Sequence, residues 1–265
     1  MTSLVLKLIA VVTMVIDHTA ACLNLCGRLP YGDLYRAMRA IGRIAFPLYG
    51  FMIAVGARYT KNKAKYAFRM LITLILAELP FDMALFGSWE RDGFFAYFAN
   101  GHQNVYMTLL FGLLTVFVMQ WAFQMKGFKR ACGVILWLLS VALSAFLCER
   151  VLETDYGWAG IFMIAIFGIL ALPLKDFRLM IASDRIVSML ISAAAIFVLV
   201  IFTNELEYWA LLALLPIGLY NGKKGYSSKG IQYGFYAVYP LHLLILTILF
   251  MLPLLKLKAA LLMPF

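Results

Sequence analysis

Residues 4–25 read LVLKLIAVVTMVIDHTAACLNL, an apolar run about as long as a bilayer-spanning helix requires. Similar runs recur along the whole chain. A soluble domain is about 45–50% apolar and about 25% charged, whereas this chain of 265 residues is 64% hydrophobic and 14% charged, with a mean hydropathy of +0.90. This composition excludes soluble enzymes, disordered tails and nucleic-acid-binding proteins, and predicts an integral membrane protein.

The predicted fold class is all-α, because strands of a membrane barrel would alternate in polarity over only about ten residues. We expect a single domain, residues 1–265, that forms a polytopic bundle of about nine transmembrane helices, with eight and ten left open. No internal repeat, P-loop, dinucleotide fingerprint or serine-hydrolase elbow is present. The apolar windows predict helices at 4–25, 40–57, 66–86, 104–125, 131–148, 158–174, 186–203, 207–221 and 234–255.

Charge in the predicted connecting loops alternates in sign, which indicates topology. Lysine and arginine concentrate in the loops after helices 2, 4, 6 and 8, and acidic residues in those after helices 3, 5 and 7. The positive-inside rule therefore predicts a multi-pass membrane protein with a cytoplasmic N-terminus. Nine helices would leave the C-terminus outside, although Lys256 and Lys258 favour a tenth or re-entrant segment. The net charge of +10 fits this topology without a nucleic-acid partner.

Ionisable side chains inside the predicted spans mark a candidate site, because burying one in a bilayer costs at least about 2.5–3.5 kcal/mol. Asp17 and His18 lie in helix 1, where a carboxylate that fixes the tautomer of an imidazole would create a general base. Adjacent residues point about 100° apart on a helix, so Asp17 either acts through water or pairs elsewhere. A polar pair that only holds the helices together is the alternative.

Four further polar residues lie near the predicted outer ends of the helices. Arg43 would neutralise a carboxylate, hold a substrate oxyanion or extend to lipid headgroups. Glu78 and Asp82 share a helix face and need a cation or a proton between them, for which Arg43 is the expected partner and Arg69 lies too far toward the cytoplasm. Asn104 either binds a polar ligand or caps a helix.

His242 and Tyr239 share one face of the last predicted helix. A second imidazole so far along the chain predicts a cavity between the first and last helices, although a lone buried histidine is more often a structural residue. The four cysteines match no metal-ligand spacing, so we predict no metal site.

Five short stretches, taken in order, resemble the TraX family, a group of bacterial membrane acyltransferases named for the N-acetylation of F-type pilin. That family is in turn similar to the acyltransferase-3 proteins and to heparan glucosaminide acetyltransferase. The matching stretches are MVIDH (14–18), GRIAFP (42–47), ELPFD (78–82), QNVYMTL (103–109) and YPLHL (239–243).

The resemblance implies transfer of an acetyl or other acyl group from acyl-CoA to a membrane-associated or extracytoplasmic acceptor. The acceptor would be an amine or hydroxyl of a protein N-terminus, sugar, lipid or small amine, and homo-oligomerisation is left open. The resemblance also implies a location in the bacterial inner membrane and catalytic roles for His18, Asp17 and His242. Arg43, Glu78, Asp82, Asn104 and Tyr239 would then bind substrate.

The expected mechanism has His18, oriented by Asp17, remove a proton from the acceptor. Arg43 or Asn104 would stabilise the oxyanion, and His242 would contact the thioester end of the donor or assist the proton transfer. Because acyl-CoA carries several phosphates, the cytoplasmic lysines Lys61, Lys63, Lys65, Lys126 and Lys129 are the expected donor contacts. The alternative function is a transporter or flippase that binds a polar solute or lipid at Asp17, Glu78 and Asp82.

Overall fold

A computed structural model describes residues 1–86, 102–172 and 185–252, and these residues form a helical bundle without a β-strand. The helices are α1 (Ser3–Leu25), α2 (Asp33–Gly42), α3 (Ala45–Tyr59), α4 (Lys63–Phe86), α5 (Val105–Gln124), α6 (Gly127–Phe146), α7 (Gly157–Gly168), α8 (Arg185–Phe202), α9 (Leu214–Gly218) and α10 (Lys229–Leu246). A π turn continues α6 through Leu147–Val151, and another continues α10 through Thr247–Met251. The 3₁₀ segment Ile169–Ala171 follows α7, and the 3₁₀ segment Glu205–Ala213 precedes α9.

Six helical stretches of the described residues are long and apolar enough to cross a membrane, which fits a multi-pass membrane protein. The predicted count of about nine is not confirmed. Helix α4 is not among the six and carries five charged residues, and the segments at 157–171 and 205–218 are short. Lys256 and Lys258, which favour a tenth or re-entrant segment, lie outside the described residues. The six stretches are Ser3–Leu25, Asp33–Tyr59, Val105–Gln124, Gly127–Val151, Arg185–Phe202 and Lys229–Met251.

One end of the bundle, which we call the basic end, collects the lysine-rich loops. The Ser3 amide donates to the Lys223 carbonyl at 2.9 Å, which joins the start of α1 to the loop after α9. The Gln120 side chain donates to the carbonyls of Ala57 and Ala171, at 3.1 Å in each case. The ends of α3, α5 and α7 therefore lie close together at one end of the bundle.

The opposite end collects the remaining turns. The Gln103 amide donates to the Glu153 carbonyl at 3.3 Å, which ties the start of α5 to the loop before α7. The Arg28 guanidinium lies 5.5 Å from the centre of the Phe250 ring, beyond the end of α1. Described turns therefore lie at two ends of the bundle, and this second end includes the loops around Arg28 and Glu153.

Small residues allow the central helices to pack closely, as is common in membrane bundles. A Cβ at Gly112 of α5 would lie 2.6 Å from Ile164 of α7, and one at Gly168 would lie 2.6 Å from Met119. These contacts hold α5 close against α7.

Candidate functional site

The first and last described helices bring two imidazoles into direct contact. His18 Nδ1 of α1 lies 2.7 Å from His242 Nε2 of α10, and the two rings stack with centroids 4.9 Å apart and an interplanar angle of 12°. Each residue is only 8% exposed. We call these two residues the histidine pair. Their separation of 224 positions along the chain explains why sequence spacing alone could not establish the contact.

Tyr239 packs against both members of the histidine pair. Its ring centroid lies 5.9 Å from that of His18 and 5.6 Å from that of His242, which fits its position one helical turn before His242. On its other side Tyr239 contacts Tyr106 of α5, with centroids 4.9 Å apart. The predicted substrate residue Tyr239 therefore lies between the histidine pair and α5.

Asp17 does not orient His18, contrary to the expected mechanism. Its carboxylate accepts a hydrogen bond from Arg39 at 2.7 Å and accepts from Arg43 Nη2 with both oxygens at 2.8 Å. Neighbouring residues on a helix point in different directions, so Asp17 turns toward α2 while His18 turns toward α10. The alternative that Asp17 pairs elsewhere is the arrangement observed.

Arg43 also binds a carboxylate that the sequence placed only in an outer loop. Its Nη1 donates to Glu207 at 2.8 Å, and its Nε donates to the Arg39 carbonyl at 3.3 Å. Glu207 is buried, and only its acidic side chain in an apolar context could have identified it from sequence. We call Asp17, Arg39, Arg43 and Glu207 the arginine–carboxylate cluster. Because Arg43 is engaged at all three nitrogens, the expectation that it holds an oxyanion is not supported.

Gly42 makes the arginine–carboxylate cluster possible, and its replacement by alanine is expected to destabilise the protein. A Cβ at this position would lie 2.2 Å from the Cβ and Oδ1 of Asp17. Overpacking of this kind typically costs about 1–3 kcal/mol. Thermal unfolding in detergent would measure the loss.

Gly32→Ala is the matched control, since a Cβ there would meet no atom within 4 Å. We expect it to change the free energy of unfolding by no more than about 0.5 kcal/mol. Equal stability of the two variants would contradict the close approach of Gly42 to Asp17.

Asn104 caps a helix and binds Glu78. Its side-chain oxygen accepts from the Tyr106 amide at 2.9 Å at the start of α5. Its side-chain nitrogen donates to Glu78 and, at 3.1 Å, to the Leu74 carbonyl of α4. The capping alternative is therefore observed, and the expectation that Asn104 stabilises an oxyanion is not supported because its amide is already engaged.

Glu78 and Asp82 are both fully buried on the face of α4 that their spacing predicts. Their expected partner is wrong, because Arg43 forms its ion pairs with Asp17 and Glu207. Near them, at the opposite end of the bundle, His102 Nε2 lies 3.6 Å from Asp155. The neighbouring Asp155 carboxylate raises the pKa of His102 above its ordinary value.

A cavity of about 630 Å³ opens at the basic end, within the range of small-molecule and cofactor sites. Four cationic side chains line it, and none of the described lining residues is acidic. Tyrosines and other apolar side chains form most of its remaining wall. The cationic residues come from α1, from the loop after α3, from α4 and from the loop before α10, and are Lys7, Lys61, Arg69 and Lys224.

Arg69 is held between aromatic rings of this cavity. Its guanidinium carbon lies 5.9 Å from the centre of the Tyr66 ring and 5.7 Å from that of Tyr236. Across the described parts of the chain Arg69 forms no ion pair. It is a partly buried cation positioned to receive an anionic group, a role that the sequence analysis did not consider.

The cavity includes only part of the predicted donor contacts. Lys61 lines it, whereas Lys63, Lys65, Lys126 and Lys129 do not. Lys63 instead places its Nζ 5.1 Å from the centre of the Phe117 ring. The physical reason is that positive charge in a loop identifies the side of the membrane, but the inward direction of a side chain depends on how the helices pack.

One layer of side chains separates the cavity from the histidine pair. Tyr106 lines the cavity and contacts Tyr239, which contacts both imidazoles. Tyr49 also lines the cavity, and its hydroxyl donates to Met14 Sδ at 3.6 Å, one turn before His18. In the described residues no group of three or more His, Cys, Asp or Glu side chains is placed to hold a metal ion.

A family model and a distant relative match almost the whole chain. A family model described as "TraX protein" matches residues 3–250. The "Probable fimbrial assembly protein FimC, serogroup H1" of Dichelobacter nodosus is 24% identical over 253 residues, which cover 91% of this chain and 92% of the relative. No solved structure gives a significant match.

Proposed function

The chain belongs to the TraX family, and from that premise we propose that it is a membrane-embedded acyltransferase. It moves an acetyl or other acyl group from cytosolic acyl-CoA to an amine or hydroxyl of a membrane-associated or extracytoplasmic acceptor. The observation that carries the proposal is the position of a buried pair of imidazoles one side-chain layer from a cationic cavity. Such a pair supplies a proton acceptor, and the cavity supplies a site for an anionic donor.

The charge of the cavity fits a donor that carries phosphates. Lys7, Lys61, Arg69 and Lys224 surround it with positive charge that no acidic lining residue among those described offsets. Arginine and lysine form their strongest hydrogen bonds with such anions. The cavity lies at the basic end, which the positive-inside rule assigns to the cytoplasm, where acyl-CoA is made.

The reaction needs a base and a site with little water. The acceptor loses a proton to the histidine pair while its nitrogen or oxygen attacks the thioester carbonyl carbon. The carbon–sulfur bond then breaks, and the leaving thiolate takes the proton back. The burial of both imidazoles within an apolar bundle supports this role, because excluding water protects the thioester from hydrolysis.

The relative named for fimbrial assembly supports a protein subunit of a surface fibre as the first acceptor to test. Its terminal amine has the required chemistry. The transporter alternative receives less support, because Asp17 is already paired with two arginines and one oxygen of Glu78 accepts from Asn104.

The test uses the purified full chain in liposomes with radiolabelled acetyl-CoA and a fimbrial-subunit peptide with a free N-terminus. We expect release of the CoA thiol and label on the peptide. Uptake of a polar solute without acyl donor, together with no thiol release from acetyl-CoA over a range of amine and hydroxyl acceptors, would contradict the proposal and favour a transporter.

Removing positive charge from the cavity is expected to weaken donor binding. The double variant Arg69→Gln, Lys224→Gln should raise the KM for acetyl-CoA at least about tenfold, because a charge-assisted hydrogen bond contributes about 1.5–3 kcal/mol and 1.4 kcal/mol is tenfold. Steady-state kinetics with varied acetyl-CoA measure the change.

The matched control is Lys126→Gln, Lys129→Gln, which removes the same charge at the basic end away from the cavity. We expect it to leave the KM within about threefold, since distant surface charges are screened by salt. An equal rise of KM in both variants would contradict the cavity as the donor site.

A further inference from the structure

A backbone carbonyl determines which nitrogen of His242 carries a proton. His242 Nδ1 lies 2.9 Å from the carbonyl oxygen of Val238, four residues earlier in α10. A carbonyl can only accept a hydrogen bond, so Nδ1 must be the N–H nitrogen. Unlike a carboxylate, this carbonyl does not titrate, so its preference is the same at every pH.

The proton on His242 in turn determines the tautomer of His18. In a neutral imidazole one nitrogen donates and the other accepts, so His242 Nε2 carries a lone pair. At 2.7 Å from it, His18 Nδ1 must therefore be the donor. The proton of neutral His18 then lies on Nδ1. Within the described residues the hydrogen bond of the His18 ring is the one at Nδ1, so the lone pair of Nε2 is left for another group.

We propose that His18 Nε2 is the general base of acyl transfer and that His242 is a positioning residue, an assignment that rests on the proposed function. The acceptor proton moves to His18 Nε2 as the new carbon–nitrogen or carbon–oxygen bond forms. When the carbon–sulfur bond breaks, the same proton leaves with the thiolate, and His18 returns to its starting tautomer. His242 accepts from Nδ1 throughout and shares the positive charge of the transient imidazolium.

The reverse arrangement would disable His18. If His242 carried protons on both nitrogens, its Nε2 would donate to His18 Nδ1, and the proton of His18 would lie on Nε2. No lone pair would then remain to accept a proton from the acceptor. The tautomer of His18 is therefore a direct readout of the proposal, and it needs no acyl transfer to be measured.

The first experiment reads that tautomer by nitrogen NMR of ¹⁵N-histidine-labelled protein in lipid. The chain has three histidines, so His102→Gln leaves only the histidine pair, and His18→Gln in that background assigns the signals. We expect protonated Nδ1 and unprotonated Nε2 on both imidazoles near neutral pH. Protonated Nε2 on His18 would overturn the proposal.

The second experiment separates positioning from chemistry at His242. In His242→Gln the side-chain oxygen replaces Nε2 as the hydrogen-bond acceptor. In His242→Leu an apolar side chain fills the position and no acceptor remains. We expect the kcat of the glutamine variant to stay within about tenfold of that of the starting protein, and the kcat of the leucine variant to fall by at least about 100-fold. If glutamine abolished turnover as fully as leucine, with both proteins folded, His242 would itself be the proton carrier.

Failure of the proposed function gives a different result. A protein that transfers no acyl group at all contradicts the acyltransferase proposal, yet its NMR spectrum still reports the tautomer of His18. A normal rate with the wrong tautomer contradicts only the assignment of the base.

Discussion

His18→Ala is expected to lower the turnover number of acyl transfer by at least about 100-fold, because general base catalysis typically contributes about 10²–10⁴-fold. Alanine removes both nitrogens, so neither the proposed base nor its hydrogen bond to His242 remains. The measurement is single-turnover transfer of labelled acetyl groups by protein reconstituted at equal density.

His102→Ala is the control for this experiment. His102 pairs with Asp155 at the opposite end of the bundle and does not contact the histidine pair. We expect it to keep nearly full turnover, and both variants to reach the membrane at the starting level. Normal turnover by a folded His18→Ala protein would remove His18 from the mechanism.

Arg43→Leu is expected to lower the free energy of unfolding by about 3–5 kcal/mol, the usual cost of removing one partner of a buried ion pair. The change leaves Glu207 without its cation and Asp17 with Arg39 alone. Chemical denaturation in detergent micelles, followed by tryptophan fluorescence, would measure the loss.

Two comparisons make this result specific. Arg36→Leu removes an exposed arginine of α2, the helix that ends one residue before Arg43, and should change the free energy of unfolding by no more than about 0.5 kcal/mol. Arg43→Leu combined with Glu207→Leu removes the orphaned carboxylate as well, so it should recover part of the stability. A double variant whose two losses simply add would contradict the Arg43–Glu207 contact.

The described helices follow the predicted segments closely, because apolar runs of bilayer length leave the backbone no alternative to internal hydrogen bonding. Among the described residues, the lysine-bearing turns after α3, α5 and α9 share one end, in agreement with the alternation of charge; the basic loop at 175–184 lies outside the described residues. The number of membrane passes was less predictable. The segments at 157–171 and 205–218 are short, and whether such a segment crosses depends on its neighbours as much as on its own composition.

The site was only partly predictable. Asp17, His18 and Arg43 were recognisable as costly residues for a membrane, but their partners were not. Glu207 lies 164 residues from Arg43, and no local pattern connects them. Lys7 and Arg69 line the cavity, although the sequence analysis assigned the donor to lysines of the loops.

By itself, the sequence determined that this protein is a helical membrane bundle, that several ionisable residues lie inside its apolar segments, and which loops carry positive charge. These properties follow from hydropathy and charge, which are sums over neighbouring residues. The tertiary structure alone decided that Asp17 binds arginines, that His18 meets His242 and that the cationic cavity ends near them. Each of these depends on the rotation of one helix against another, and that rotation is set by close packing at residues such as Gly42 and Gly112.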